Sequence, residues 1–216
     1  MTNIFETAKD KKIIAIVRGI EEEKLISTVQ ALHDGGIRLI EVTFDQSNKN
    51  NLKDTSNAIQ MIVEQFPDMI TGAGTVVKME QLKAAYEAGG KLIISPDCNP
   101  EIIRETVKLG MLSIPGAFSP SEIVKAYDNG ADFVKVFPAG NLGSNYIKAI
   151  RAPLNHIPLM AVGGVDIHNM EEFYHAGISG FGIGGSLVNK KMIESGQFEE
   201  LKRLARQYVE IADSLQ

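Results

Sequence analysis

The sequence predicts a (β/α)8 barrel, a single domain over residues 1–216 with a short N-terminal helix closing its bottom, and three observations carry that prediction. A short β-branched run followed by a stretch of helical spacing recurs eight times. Most of the helical stretches end in glycine, the usual C-terminal stop of a helix. No Pro/Gly/Ser-rich linker interrupts the series. A doubly wound open sheet is the alternative, but it would leave two or three of the units surplus.

"NIFETAKDKK" reads as the closing helix, because it precedes the first apolar run. "IIAIV" from Ile13 is the first strand, and "EEKLISTVQALHDGG" its helix. "RLIEVTF" from Arg38 pairs with "NAIQMIVEQF", and "MITGAG" from Met69 with "MEQLKAAYEAGG". "KLIIS" from Lys91 precedes "PEIIRETVKLG", and "MLSIP" from Met111 precedes "SPSEIVKAYDNG". "DFVKVF" from Asp132 leads to "NYIKAI", and "IPLMAV" from Ile157 to "NMEEFYHAG". "SGFGIGG" from Ser179 is the last strand, and "FEELKRLARQYVEIADSL" the last helix.

Composition narrows the function. With 44% hydrophobic residues, 216 positions suffice for one sizeable core. A net charge of -5 and a pI near 5.5, with no Lys/Arg-rich run, argue against a nucleic-acid partner. Cys98 is the only cysteine, which excludes a disulfide framework and fits a reducing, cytoplasmic setting. "MTNIFETAKDKK" lacks the apolar stretch of a signal peptide, and no run reaches the roughly eighteen apolar residues of a membrane span. His33, His156, His168 and His175 show no metal-ligand spacing, so no metal is expected.

Parallel strands are buried on both faces, so charges inside them are costly. Arg38, Lys91 and Asp132 fall at strand starts, on the wet lower rim. Arg18, Glu41 and Lys135 are read in the later halves of strands one, two and six, toward the face where barrel active sites open. Alternation sets Lys135 beside Phe133 and Phe137, and Glu41 beside Leu39 and Thr43. If those sides face the lumen, desolvation depresses the lysine pKa and frees a neutral amine to attack a carbonyl. The plainer alternatives are a lysine snorkelling to water, or a buried ion pair without chemistry.

Gly163 and Gly164 end the seventh strand and Gly184 and Gly185 the eighth, the usual phosphate position of such barrels, and Ser186 offers a hydroxyl there. The glycines alone would equally serve tight turns. "GAGTV" is not a dinucleotide fingerprint, because its third glycine would fall at Val77; it contributes the Thr75 hydroxyl instead. "SPDCNP" and "IPGAFSP" stiffen the rim.

In "IIAIVRG", "GGIRLIEVTF", "GAGTV", "ISP", "IPGAFSPSE", "VKVFPA", "AVGGV" and "GIGGSLV", in order over nearly the whole chain, the sequence resembles the class I 2-keto-3-deoxy-6-phosphogluconate (KDPG) aldolases. The related 4-hydroxy-2-oxoglutarate (KHG) and 2-keto-3-deoxy-6-phosphogalactonate aldolases share these blocks. The resemblance implies a metal-independent carbon–carbon lyase with no cofactor beyond a covalent lysine imine, acting on pyruvate and a phosphorylated keto acid, as a homotrimer. It puts the Schiff-base lysine on Lys135, the proton-transferring glutamate on Glu41 and the carboxylate-binding arginine on Arg18. Thr75 and Pro96 match the pyruvyl end, Gly163, Gly164, Gly184, Gly185 and Ser186 the phosphate end, and Phe137 is a further substrate-binding position. The chain departs at Asp45, where many gluconate-type members carry arginine, so that carboxylate binding rests more on Arg18, and at Val162, where they carry threonine, which bears on the C4 epimer accepted. A phosphosugar isomerase or epimerase, a non-catalytic phosphosugar-binding barrel and a metal-dependent aldolase are the rival functions.

Overall fold

A computed structural model describes residues 4–215. Its elements run α1 (Ile4–Lys11), β1 (Ile13–Val17), α2 (Glu22–Asp34), β2 (Leu39–Thr43), α3 (Asn51–Gln65), β3 (Ile70–Gly74), α4 (Met79–Glu87) and β4 (Leu92–Ile94). They continue α5 (Pro100–Lys108), β5 (Leu112–Ile114), β6 (Gly116–Ala117), α6 (Pro120–Asp128), β7 (Val134–Val136) and α7 (Ala139–Arg151). The last are β8 (Leu159–Val162), α8 (Met170–His175), β9 (Gly180–Ile183), α9 (Lys190–Glu194) and α10 (Phe198–Ser214).

All paired strands are parallel, in the order β5-β4-β3-β2-β1-β9-β8-β7-β6. The two ends of that order, β5 and β6, are one stretch of chain interrupted by Pro115 that closes the ring; the expected fifth strand ends at Pro115, so β6 falls in the stretch expected as loop. Proline has no N–H to give the ladder, which is why the strand breaks there. Its carbonyl still accepts from Lys135 N at 2.9 Å and so anchors β7 at the split. Eight strands were therefore expected where nine segments are described.

Two apolar cores follow from strand alternation. Outward residues such as Ala15, Ile40, Ala73, Val134 and Phe181 pack under the helices. Inward residues Ile14, Leu39, Leu92, Ile94, Leu112, Ile114, Phe133 and Met160 fill the lower lumen together with Ala8 of α1. The Phe5 ring of α1 stacks on Phe133 at 5.0 Å, so this helix plugs the bottom as expected. Each such side chain taken from water contributes roughly 1.5–3 kcal/mol, and together they leave no wet floor below the site.

Local signals set several helix starts. Asn99 accepts from Glu101 N and precedes Pro100. Ser119 and Glu122 form a reciprocal capping box ahead of α6, the physical content of "SPSE". Three boundaries differ from expectation. α3 starts at Asn51 rather than Asn57, because Thr55 already extends its buried face. α7 includes a turn from Ala139 that the left-handed Gly143 (φ 76°) separates from the regular helix. The five-residue α9, capped by the Asn189 side chain, has too short an apolar pattern to announce itself. Among the described residues no helix is long and apolar enough to cross a membrane.

Glycine is needed at Gly72, where an added Cβ would run into the Leu92 carbonyl oxygen of the neighbouring strand and stand 2.7 Å from Leu92 Cγ. Gly72→Ala is expected to destabilise the protein by about 2 kcal/mol or more in urea denaturation, while Gly185→Ala, which meets nothing, shifts it by less than about 0.5 kcal/mol.

Candidate active site

At the C-terminal mouth of the barrel lies a cavity of about 680 Å3. Lys135 of β7 and Glu41 of β2 both line it, from opposite walls above the apolar floor, and are only 6% and 2% exposed. Inward alternation puts Phe133 beneath Lys135 and Leu39 beneath Glu41. Above the lysine, the Phe137 ring centroid lies 4.8 Å from Nζ. Glu41 Oε2 is buried with no hydrogen-bond partner, an unmet acceptor facing the cavity.

Burial pushes the Glu41 carboxyl up to about 7, although Lys135 and Arg18 pull it the other way. Burial likewise pushes the Lys135 ammonium below its usual range, opposed by Glu41 and reinforced by Arg18. Burial thus favours the neutral form of each group, and the neutral amine is the form that attacks a carbonyl. Gly74 makes the arrangement possible: an added Cβ there would stand 2.6 Å from the Glu41 carboxyl carbon and 2.9 Å from Oε2.

Arg18 is exposed and stands one residue past β1, rather than inside the later half of the strand. Its Nη2 donates to Thr75 Oγ1 at 3.5 Å, so the guanidinium crosses the mouth on Glu41's side. Thr75, Pro96 and Phe137 line the same cavity. At the other end Gly163 and Gly164 adopt φ 85° and 75°, conformations glycine takes without strain. Gly140 N donates to Gly163 O at 2.7 Å and Asn169 Nδ2 to Gly164 O at 2.8 Å, which fixes both peptide planes. Gly184, Gly185 and Ser186 complete that end. The Ser186 hydroxyl donates to Val165 O at 2.8 Å, so it ties the two turns together instead of pointing a free donor at a ligand. The N-terminus of α9 does not complete an anion cradle either, because the Asn189 side chain accepts its Lys191 and Met192 N–H groups.

Comparison with known proteins settles the family. The family model for KDPG and KHG aldolase matches residues 4–204. The chain belongs to that family. It is 36% identical over 185 residues to a relative in Rhizobium meliloti, 85% of this chain and 84% of that one. A 2-dehydro-3-deoxy-6-phosphogalactonate aldolase of Escherichia coli is 36% identical over 177 residues, 81% of this chain and 83% of its own. A 2-dehydro-3-deoxy-phosphogluconate aldolase of Treponema pallidum is 32% identical over 213 residues, 98% of each. Among solved structures, one of KDPGal superposes with a TM-score of 0.81 at 34% identity, covering 92% of this chain and 93% of that one. A KDPG aldolase of Legionella pneumophila, solved with pyruvate as a covalent carbinolamine, superposes with a TM-score of 0.83 at 26% identity, covering 94% and 96%.

For a KDPG/KHG-family barrel, two departures acquire a place in space. Asp45 does not line the main cavity; it belongs to a neighbouring hollow between the β1 and β2 loops, and its carboxylate accepts from Ser47 N and Oγ. Val162 does line the cavity, and its Cγ2 would stand 2.8 Å from a Cβ at Gly182, so the glycine makes room for the valine. Sequence reading missed Lys190, which lines the glycine end and, among the described residues, pairs with Glu194 at 3.9 Å. No motif marks it, because its approach depends on the turn of residues 184–189. Gly74 and Gly182 were likewise readable only as turn or strand glycines.

The raised Glu41 pKa gives a signed prediction. Relative to an ordinary value of 4.5, its stabilising share is full below that pH and is lost as pH rises through about 7. Glu41→Gln has no such titration. Between about pH 5 and about pH 8 the parent protein should lose on the order of 3 kcal/mol of unfolding free energy relative to the variant, measured by urea denaturation at both pH values. Equal pH dependence in the two proteins would refute the burial argument.

Proposed function

We propose that this aldolase reversibly cleaves a 2-keto-3-deoxy-6-phosphoaldonate to pyruvate and glyceraldehyde 3-phosphate, with Lys135 as the Schiff-base residue. The single observation that carries the reading is the buried Lys135 amine sharing one cavity with the buried carboxylate of Glu41, whose Oε2 has no hydrogen-bond partner. The carbinolamine captured in the Legionella relative supports the same covalent route. The lysine imine serves as the electron sink, and no resident metal or cofactor enters the scheme.

Neutral Lys135 attacks the C2 ketone, and the carbinolamine loses one water as Glu41 supplies a proton. In the resulting iminium, Glu41 takes the C4 hydroxyl proton through a water. The C3–C4 bond breaks, its electrons pass to the iminium nitrogen, and the aldehyde leaves. Glu41 returns the proton to C3 of the enamine, and one water hydrolyses the imine to release pyruvate. Water and protons balance over the cycle.

Arg18 clamps the carboxylate, with Thr75 beside it, and so fixes the plane of the imine. The turn amides of Gly163, Gly164, Gly184 and Gly185, with the Lys190 ammonium, receive the phosphate at the glycine end of the cavity. Val162 in place of a hydroxyl-bearing residue, together with the galactonate-type relatives, favours acceptance of the galactonate epimer. The shorter 4-hydroxy-2-oxoglutarate, which yields pyruvate and glyoxylate, fits the same lysine chemistry without using the glycine end. Family resemblance adds a cytoplasmic homotrimer to this reading.

Borohydride reduction with pyruvate, followed by peptide mass analysis, should label Lys135 alone. Lys135→Ala should abolish trapping, and Glu41→Gln should lower turnover by about 100-fold or more while still trapping pyruvate. Label on another lysine would overturn the assignment. Lys190→Ala should raise KM for the phosphorylated substrate about tenfold and leave 4-hydroxy-2-oxoglutarate cleavage unchanged, read with a coupled dehydrogenase. Equal KM changes on both substrates would remove Lys190 from the phosphate end.

A further inference from the structure

Thr75, one residue past β3, has φ 57°, a left-handed conformation that a β-branched residue keeps only when its surroundings hold it. Gln46 Nε2 donates to the Thr75 carbonyl oxygen at 3.0 Å. The Gln46 side-chain oxygen in turn accepts from Gln81 Nε2 at 3.0 Å. Gln81 is 1% exposed, and its own oxygen accepts from Val77 N at 2.9 Å and Lys78 N at 3.1 Å. Next along the chain, Ser95 Oγ donates to Val76 O at 2.7 Å.

Two side-chain amides thus run in series from the first turn of α4, through the loop after β2, to the backbone of the one cavity residue with a left-handed β-branched conformation. Neither glutamine lines the cavity, while Thr75 does and meets Arg18 there through its hydroxyl. Glycine would adopt the same φ without support, but it would lack the hydroxyl. The bonds therefore hold a residue whose side chain, not merely its turn, is needed.

We propose that Gln81, acting through Gln46, is a positioning residue that holds Thr75 in its left-handed conformation and so keeps the Thr75 hydroxyl beside Arg18 at the end of the cavity that receives the keto-acid carboxylate. The naming of that end rests on the aldolase reading; the hold on Thr75 does not. An amide at Gln46 must both accept from Gln81 and donate to Thr75, so its orientation is set by its neighbour. Glu in place of Gln81 keeps the acceptor for Val77 and Lys78 but has no N–H for Gln46. Gln46 must then turn its N–H toward residue 81 and present an oxygen to the Thr75 carbonyl, which breaks the hold without removing the start of α4.

The test uses Gln46→Met, Gln81→Glu, Thr75→Gly and the double variant Thr75→Gly/Gln46→Met. Pyruvate concentration dependence of borohydride trapping at Lys135 should shift about tenfold in Gln46→Met and Gln81→Glu, the scale of a slightly misplaced anchor. Trapping at saturating pyruvate and inhibition by inorganic phosphate should stay within twofold of the parent, which a general loss of folding would not allow. In the Thr75→Gly background, Gln46→Met should add less than a twofold shift. Unchanged pyruvate dependence in both glutamine variants, or a full shift that persists with Gly at position 75, overturns the proposal. Amide hydrogen exchange over residues 74–78 reads the hold without catalysis: it should be at least tenfold faster in both glutamine variants, and unchanged exchange also overturns it. If the parent protein traps no pyruvate, the aldolase reading fails, and the exchange result alone decides the positioning role.

Discussion

The desolvation of one amine governs this structure. Lys135 keeps its depressed pKa only because the lumen beneath it is dry, and the lumen is dry because inward aliphatic residues of five strands and the plug helix α1 fill it. The outcome is a trade between two free energies. Burial of the floor stabilises the fold, while burial of Glu41 and Lys135 opposes it, since each charged form loses its hydration. The two groups oppose one another's shifts, which moderates that cost.

Room for chemistry above that floor comes from missing side chains. The inward positions of β3 are Ile70, Gly72 and Gly74, and those along β9 and just after it are Gly180, Gly182 and Gly184. Four of these glycines let a neighbour in: Leu92 at Gly72, the Glu41 carboxylate at Gly74, Met160 at Gly180 and Val162 at Gly182. The bulky inward residues of β4 and β5 stay low in the lumen. Thus the same alternation that packs the lower barrel leaves the upper barrel hollow on the side where Glu41 and the glycine turns stand, and the cavity needs no separate domain or lid to form it.

The polar rim has its own logic. Backbone groups at the turns are fixed by hydrogen bonds that leave no side chain free to drift: Gly163 and Gly164 by Gly140 and Asn169, the two turns by Ser186, and Thr75 by Gln46. Preorganised groups of this kind lose little freedom when a ligand arrives. Arg18 and Lys190 are exposed cations that line the same cavity, long side chains set on a frame fixed by these hydrogen bonds.

The chain's pattern by itself determined the barrel, the plug helix and the two strand residues Lys135 and Glu41, because alternation is local: a residue two positions from a buried phenylalanine shares its side of the strand. The capped helix starts at Asn99 and Ser119, whose partners lie within three residues, are just as local. Only the folded molecule decided what depends on separated segments. Pro115 splits a strand because of where its neighbours need an N–H, Arg18 stands beyond its strand, the Ser186 hydroxyl is taken by Val165, and Asp45 belongs to another hollow. Gln81, Gln46 and Thr75 lie up to 35 positions apart along the chain, and Lys190 reaches the cavity only through the turn before it. Periodicity reports which side of an element a residue occupies; it carries no information about which distant atom that side will meet.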